Sequence, residues 1–506
     1  MTELLLLLLV FSPGVGMLLL VFVPKQQEKV IKFIGFLATL PAFLIALSIF
    51  LRNRHHSSLS GYSFQMDWFR LGNFKDYDSL LYDVKFELGI DGFSLVMLLL
   101  TSLLAMLSAI ASQQIKKAWK EYFLLFLLLE IGMLGVFAAE NLVLFFLFFE
   151  VTLVAMFFLI GKWGGVEKEQ AAYRFLVYNG LGSAILLIVI MVLFAKTGSS
   201  NIDVLQQIVL NGGVTTGSYL SEQLKLGLLI ALLIAFGIKL PVLPLHSWML
   251  AVHVQAPPAI VMLHAGVLLK IGAYGFIRFG IGIFPEQFQK VSFIIVILGV
   301  VNLLYGAFLA LIQQDFKRVL AYSSVSHMGM VLIGLGVLNE AGIQGAIFQV
   351  VSHGLIAAML FYLVGLLYER TRTSQLEQLG GMAKATPILA GFLLAAGMAS
   401  LGLPGLSGFI SEFMVFLGLF QEKPVIGAIS AIGLIVTAVY VLRAVLSITY
   451  GESKHEGKQE FVDIRATEWP PLLLLFGAIV LIGVYPAILI EPLNETLKSI
   501  LLRIGG

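Results

Sequence analysis

The sequence predicts an all-α polytopic membrane protein of about 14 transmembrane helices, with two inverted five-helix repeats and two broken helices. Three observations lead there. Of 506 residues, 59% are hydrophobic and 12% charged, whereas globular chains carry about 25% charged residues. The apolar residues fall in runs of roughly twenty, the length a helix needs to cross about 30 Å of hydrocarbon. Two of these runs are punctured by proline and glycine at corresponding places along the chain.

Helices are expected because lipid cannot satisfy exposed backbone groups. The candidate spans are 2–23, 30–51, 92–114, 122–139, 142–161, 170–196, 224–250, 256–279, 290–313, 317–338, 342–368, 386–420, 424–448 and 468–490. The opening MTELLLLLLVFSPGVGMLLLVFV has no basic leader and no small-residue cleavage site, so it reads as a retained first span. Residues 52–91 form the longest polar loop, followed by 197–223 and 451–467, and the tail 491–506 reads as an amphipathic segment along the membrane surface. Lys and Arg are more numerous in the loops after odd-numbered spans, which makes those loops cytoplasmic and turns both termini outward. The expected location is a cell (inner, cytoplasmic) membrane.

The seventh run contains IKLPVLPLHSW and the twelfth LGLPGLSGFISEF. Proline removes a backbone donor and breaks the helix ladder, and a membrane tolerates the break only where protein or water meets the freed groups. The segment from Asn179 to Leu186 also reads against that from His353 to Leu360, at nearly the offset that relates Pro241 to Pro404. Spans four to eight and nine to thirteen therefore read as two repeats, and an odd number of spans in each inverts one against the other. This divides the chain into residues 1–121 (spans one to three and an outer loop), 122–279 (first repeat), 280–448 (second repeat) and 449–506 (loop, span fourteen and tail).

Composition also excludes. With no cysteine there is no disulfide, iron–sulfur cluster or thiolate metal site, and a net charge of +2 gives no case for nucleic acid. No phosphate-binding loop, dinucleotide fingerprint or H-E-x-x-H stretch occurs. No cofactor is expected in this chain; the expected partners are lipid, protons and neighbouring membrane subunits.

The chemistry lies in ionisable residues inside the apolar runs, where a charge is costly and by default functional. Glu150 sits among phenylalanines in LFFLFFEVTLVAMFF, and Lys239 immediately precedes the break at Pro241. Read as a pair, they titrate as a unit and form a gate that a third charge can tip. Lys270, in LHAGVLLKIGAYGF, can pass a proton when neutral. His327 and His353, each beside serine in adjacent spans, suggest a polar wire with ordered water. Glu412, beyond the second break, is the terminal acid of the second half. Glu130 and His264 are also intramembrane and receive no role.

These motifs resemble the antiporter-like membrane subunits of respiratory complex I, the proton-pumping NADH:quinone oxidoreductase, and among them the M type (chain 4 in the mitochondrial naming). The likeness rests on FELGIDGFSLVML, LFFLFFEVTLVAMFF, IKLPVLPLHSWM, HVQAP, AGVLLKIGAYGFIRF, DFKRVLAYSSVSHMG, VVSHGLIAA, LGLPGLSGFISEFMVF and GVYP, and runs from about residue 85 to 487. It implies fourteen spans in two inverted repeats and a proton path through Glu150, Lys239, Lys270, His327, His353 and Glu412, driven by quinone reduction in partner subunits. Where the family commonly reads L-P-D-A-H, this chain has Met249-Leu250-Ala251-Val252-His253 and so lacks the loop carboxylate. Two alternatives share the fold: a cation/proton antiporter subunit of the Mrp type, which tends to carry lysine at the Glu412 position, and the membrane arm of a hydrogenase-linked or ferredoxin-fed complex.

Overall fold

The computed structural model describes residues 2–53, 59, 61–71, 82–211, 220–452 and 461–505. The polar loops expected at 52–91, 197–223 and 451–467 lie partly outside the described residues, as do the two chain ends. The protein is an almost entirely helical, multi-pass membrane protein. Among the described residues, 11 helices are long and apolar enough to cross a membrane, or up to 12 if the pair Trp469–Val484 and Ala487–Arg503, bent by 68°, is one span.

That count of 11 falls below the expected fourteen at three places: the fourteenth run, whose helix Trp469–Val484 has 16 residues, and the two broken runs. The seventh run folds as Glu222–Lys239 and Ser247–Gln255, and the twelfth as Pro387–Ser400 and Ser407–Glu422. Proline is the cause in both broken runs. At the first break, Asn302 from the helix Pro285–Ile312 meets the freed backbone: its Oδ1 accepts from Leu243 N at 2.8 Å, and its Nδ2 donates to Pro241 O at 3.2 Å. Asn302 is fully buried, so the side chain supplies in the interior what solvent supplies elsewhere.

Several spans start on a side-chain cap that takes up otherwise orphaned N–H groups. Asp91 accepts from Ser94 N, Asn141 from Val143 N and Leu144 N, Asp315 from Arg318 N, and Asn339 from Gly342 N. One part of the long polar loop is regular: strands Ser63–Leu71 and Tyr82–Gly89 pair antiparallel, with a register shift between Asp67 and Phe69. The C-terminal helix Ala487–Arg503 buries Leu489, Leu493, Leu497 and Ile500 at helical spacing. That apolar face packs on the helix Gly92–Ala111 rather than standing free, and Gly92 N donates to Thr496 Oγ1 at 3.1 Å.

Burial grades the helices into layers. In Thr2–Phe22, Glu28–Asn53, Lys168–Thr197 and Pro424–Thr449, 39% of the most apolar window is buried, which leaves a wide apolar face for lipid. In Pro258–Ile281 and Glu340–Thr371 the whole window is enclosed by protein. Those two enclosed helices carry Lys270 and His353, so the ionisable residues lie at the centre of the bundle.

Candidate functional site: a buried chain of ionisable side chains

Lys239 ends the helix Glu222–Lys239, just before the break, and is 2% exposed. The break lets its side chain leave the helix axis and enter the interior. Its Nζ lies 4.6 Å from the centre of the Phe149 ring and 5.7 Å from that of Phe175, two cation–π contacts. Glu150 is within electrostatic reach of Lys239, but no ion pair within 4.0 Å joins them, and its buried Oε1 has no hydrogen-bond partner among the described residues. The pair expected from sequence is thus a separated one, with the aromatic face of the preceding residue against the ammonium.

Between the two lysines stands a contact that sequence reasoning missed. His253 Nε2 and His264 Nδ1 lie 2.9 Å apart, both rings buried. His264 is within electrostatic reach of Lys239 and of Lys270. The chain turns back at Pro257 and Pro258, the latter at the first turn of the next helix, and this brings residues eleven apart face to face. Tandem prolines flanked by two histidines were the available signal. His253 occupies the position where the family motif has its histidine, so the departure in the preceding loop leaves that residue in place.

Lys270 sits on the same enclosed helix, which contains widened π-helical turns at His264–Leu268 and Phe276–Ile281. Such turns are rare and concentrate at functional sites. Lys270 Nζ is 2.7 Å from His353 Nδ1 and 3.6 Å from Met328 Sδ. The geometry is that of an ammonium donating to a neutral imidazole, or of an imidazole N–H donating to a neutral amine.

The His353 ring centre lies 5.3 Å from that of His327. From His327 the network continues along two lines. Gln349 Nε2 is 3.1 Å from His327 Nδ1, and Gln349 Oε1 accepts from Ser411 Oγ at 2.5 Å. Glu412 Oε1 is 3.8 Å from His327 Nδ1. Ser400 and Ser352 help line a small polar cavity at this point, of about 20 Å³, with room for a water to bridge these groups.

Four of the six residues expected from sequence therefore form a continuous buried network: Lys270, His353, His327 and Glu412. Lys239 reaches it only electrostatically, through His264, and Glu150 stands beyond Lys239 without direct contact. Glu130 is fully buried, with neither carboxyl oxygen partnered among the described residues. Among the described residues no group of three or more histidines or carboxylates is placed to hold a metal ion.

Residues 139–438, the whole of this network included, match the family described as NADH:quinone oxidoreductase/Mrp antiporter, TM. Subunit M of the NADH-quinone oxidoreductase of Rickettsia felis is 34% identical over 498 residues, 98% of each chain. The chain belongs to this family. Among solved structures, it is similar to a chain of respiratory complex I from Thermus thermophilus with bound NADH, with a TM-score of 0.85 and 29% identity over 99% of this chain and 100% of that one. It shares its fold with a chain of the Mrp complex from a Dietzia species, with a TM-score of 0.80 and 21% identity over 98% and 99% of the two chains. All the network residues fall inside these matches.

Proposed function

We infer that this chain is the M-type subunit in the membrane arm of a proton-translocating NADH:quinone oxidoreductase, associated there with other subunits of the complex. It carries protons and no electrons: NADH oxidation and quinone reduction belong to partner subunits, and this chain binds no redox cofactor. One observation supports the reading most strongly. A chain alike over nearly its whole length to subunits M holds a series of buried ionisable groups through the interior of its helix bundle.

In this mechanism a charge displacement in a neighbouring subunit changes the field at Glu150 and Lys239. Their separation lets the lysine proton leave toward His264 and His253. Lys270 then exchanges protons with His353, and His327 passes them by way of bridging water to Glu412. Each lysine becomes a neutral amine as its neighbour gains the charge, so charge is conserved at every transfer. Moving one charge against 100 mV costs about 2.3 kcal/mol, which the partners' redox reaction must provide. Residues 122–279 and 280–448 act as two inverted half-channels, and both termini face outward from the cytoplasmic membrane.

The Mrp-type reading shares the fold. Glu412, an acid where such antiporters tend to carry lysine, favours the oxidoreductase. The test is to purify the native complex from membranes, identify its subunits and measure proton uptake per electron for Glu150→Gln and Lys239→Ala. The reading requires co-isolated NADH- and quinone-reacting subunits and a lowered ratio in assembled complex. A native ratio in both variants would leave the chain a passive scaffold, and co-isolation with only antiporter subunits would favour the Mrp assignment.

A further inference from the structure

A second polar site lies four residues beyond Lys270 along the same helix, outside the network above. Tyr274 is fully buried, and its hydroxyl is 2.9 Å from Ser94 Oγ and donates to Phe137 O at 3.4 Å. Positions four apart share a helix face about 6 Å apart along the axis, so Lys270 and Tyr274 stand one turn apart on the same face. One turn further, Arg278 NH1 donates to Asp91 Oδ2 at 2.5 Å, and its NH2 lies 3.8 Å from Glu140 Oε1. Arg278 Nε is buried with no partner among the described residues. Asp91, Glu140 and Arg278 are all within electrostatic reach of Tyr274.

Asp91, Glu140 and Arg278 border a cavity of about 370 Å³, large enough for several waters, which Asp203, Glu495 and Arg503 also line; Tyr274 and Ser94 lie behind this lining. The widened turns Phe276–Ile281 lead into it, and the helix Ala487–Arg503 closes one side. Three features of different origin lie close together here: a buried hydroxyl pair, a guanidinium nitrogen without a partner among the described residues, and a cavity lined by both signs of charge. A purely structural lock between the helices Gly92–Ala111 and Pro258–Ile281 would need the Asp91–Arg278 ion pair alone. It accounts for neither the Tyr274–Ser94 hydroxyl pair nor the chamber.

We propose that Tyr274, Ser94 and the Arg278–Asp91–Glu140 cluster form a lateral branch of the proton path, connecting Lys270 to this water-filled chamber. The branch rests on the function proposed above. In it a proton leaves the Lys270 ammonium through water, and each hydroxyl accepts one proton while releasing its own. The proton comes to rest on the Glu140 carboxylate. Lys270 ends neutral, Glu140 ends protonated, and Arg278 keeps its pairing with Asp91. The chamber is then a port midway along the subunit, additional to Glu412 at its far end.

The test is made on the assembled complex in proteoliposomes, with protons moved per electron as the readout, for Tyr274→Phe, Glu140→Gln and Glu140→Asp beside Lys239→Ala. The branch requires Tyr274→Phe and Glu140→Gln to lower the ratio at least about twofold, with Glu140→Asp restoring it. A native ratio in both variants, whatever happens to assembly or stability, would overturn the branch and leave the cluster a structural lock. If Lys239→Ala lowers the ratio while Tyr274→Phe does not, the branch alone fails. If Lys239→Ala also leaves it native, the proposed function fails with it.

Discussion

Lys270 Nζ lies 2.7 Å from His353 Nδ1, the shortest link between ionisable side chains in the buried network and the point where the helix Pro258–Ile281 region meets Glu340–Thr371. Two cations cannot share that distance in a dry interior, so protonation of one partner excludes it from the other. Replacing Lys270 by arginine, which holds its proton at all accessible pH values, fixes the charge on one side. Lys270→Arg is expected to reduce protons pumped per electron roughly tenfold, with assembly retained. Proton uptake by membrane vesicles during NADH oxidation checks this.

His264 packs edge-on against Trp248 and Phe175, so phenylalanine fits its place while removing both ring nitrogens. His264→Phe strands His253 Nε2, a loss of about 1–3 kcal/mol, and cuts the connection between Lys239 and Lys270. The expected result is a modest fall in thermal midpoint together with a much larger fall in pumping. Equal proportional losses in both would place His264 among structural residues.

Gly402, with φ +77°, sits in the second break, and a Cβ there would stand 2.5 Å from Glu412 Oε2. Gly402→Ala combines left-handed strain with overpacking, about 1–3 kcal/mol, and displaces the terminal carboxylate. At Gly391, in the neighbouring helix, nothing lies within 4 Å of an added Cβ, and alanine there should be neutral or slightly stabilising. Thermal unfolding in detergent of the two variants compares them directly.

Burial raises the Glu140 carboxyl above its ordinary value, opposed by Arg278. The folded state therefore binds this proton more tightly than the unfolded chain does. Stability contributed by the group is greatest at low pH and is lost as pH rises from the ordinary carboxyl range through the raised value. Glu140→Gln should flatten the pH dependence of thermal stability just above the ordinary glutamate range. An unchanged slope there would show that other carboxyls set it.

The intramembrane charges and the proline breaks were legible because each violates the apolar pattern around it. Lys270, His353, His327 and Glu412 could thus be placed in one network from sequence, and Pro241 and Pro404 marked where helices divide. Contacts set by chain reversal were not legible. His253 meets His264 only because two prolines turn the chain, and Asn302 reaches the first break from a helix sixty residues away in sequence. The separation of Glu150 from Lys239 depends on where the Phe149 ring lies, which periodicity does not report. The antiparallel strands within 52–91 were hidden by polarity, since alternation on a solvated hairpin resembles an ordinary loop.

The helix Glu340–Thr371 runs 32 residues with its whole apolar window enclosed. A rod clamped on every side cannot tilt or slide without moving its neighbours, because close-packed interiors transmit displacement rather than absorb it. Its amides should be among the slowest in the molecule to exchange with deuterium. A push applied at one end of the subunit would therefore reach His353 as a small turn of a stiff shaft, enough to make or break its contact with Lys270.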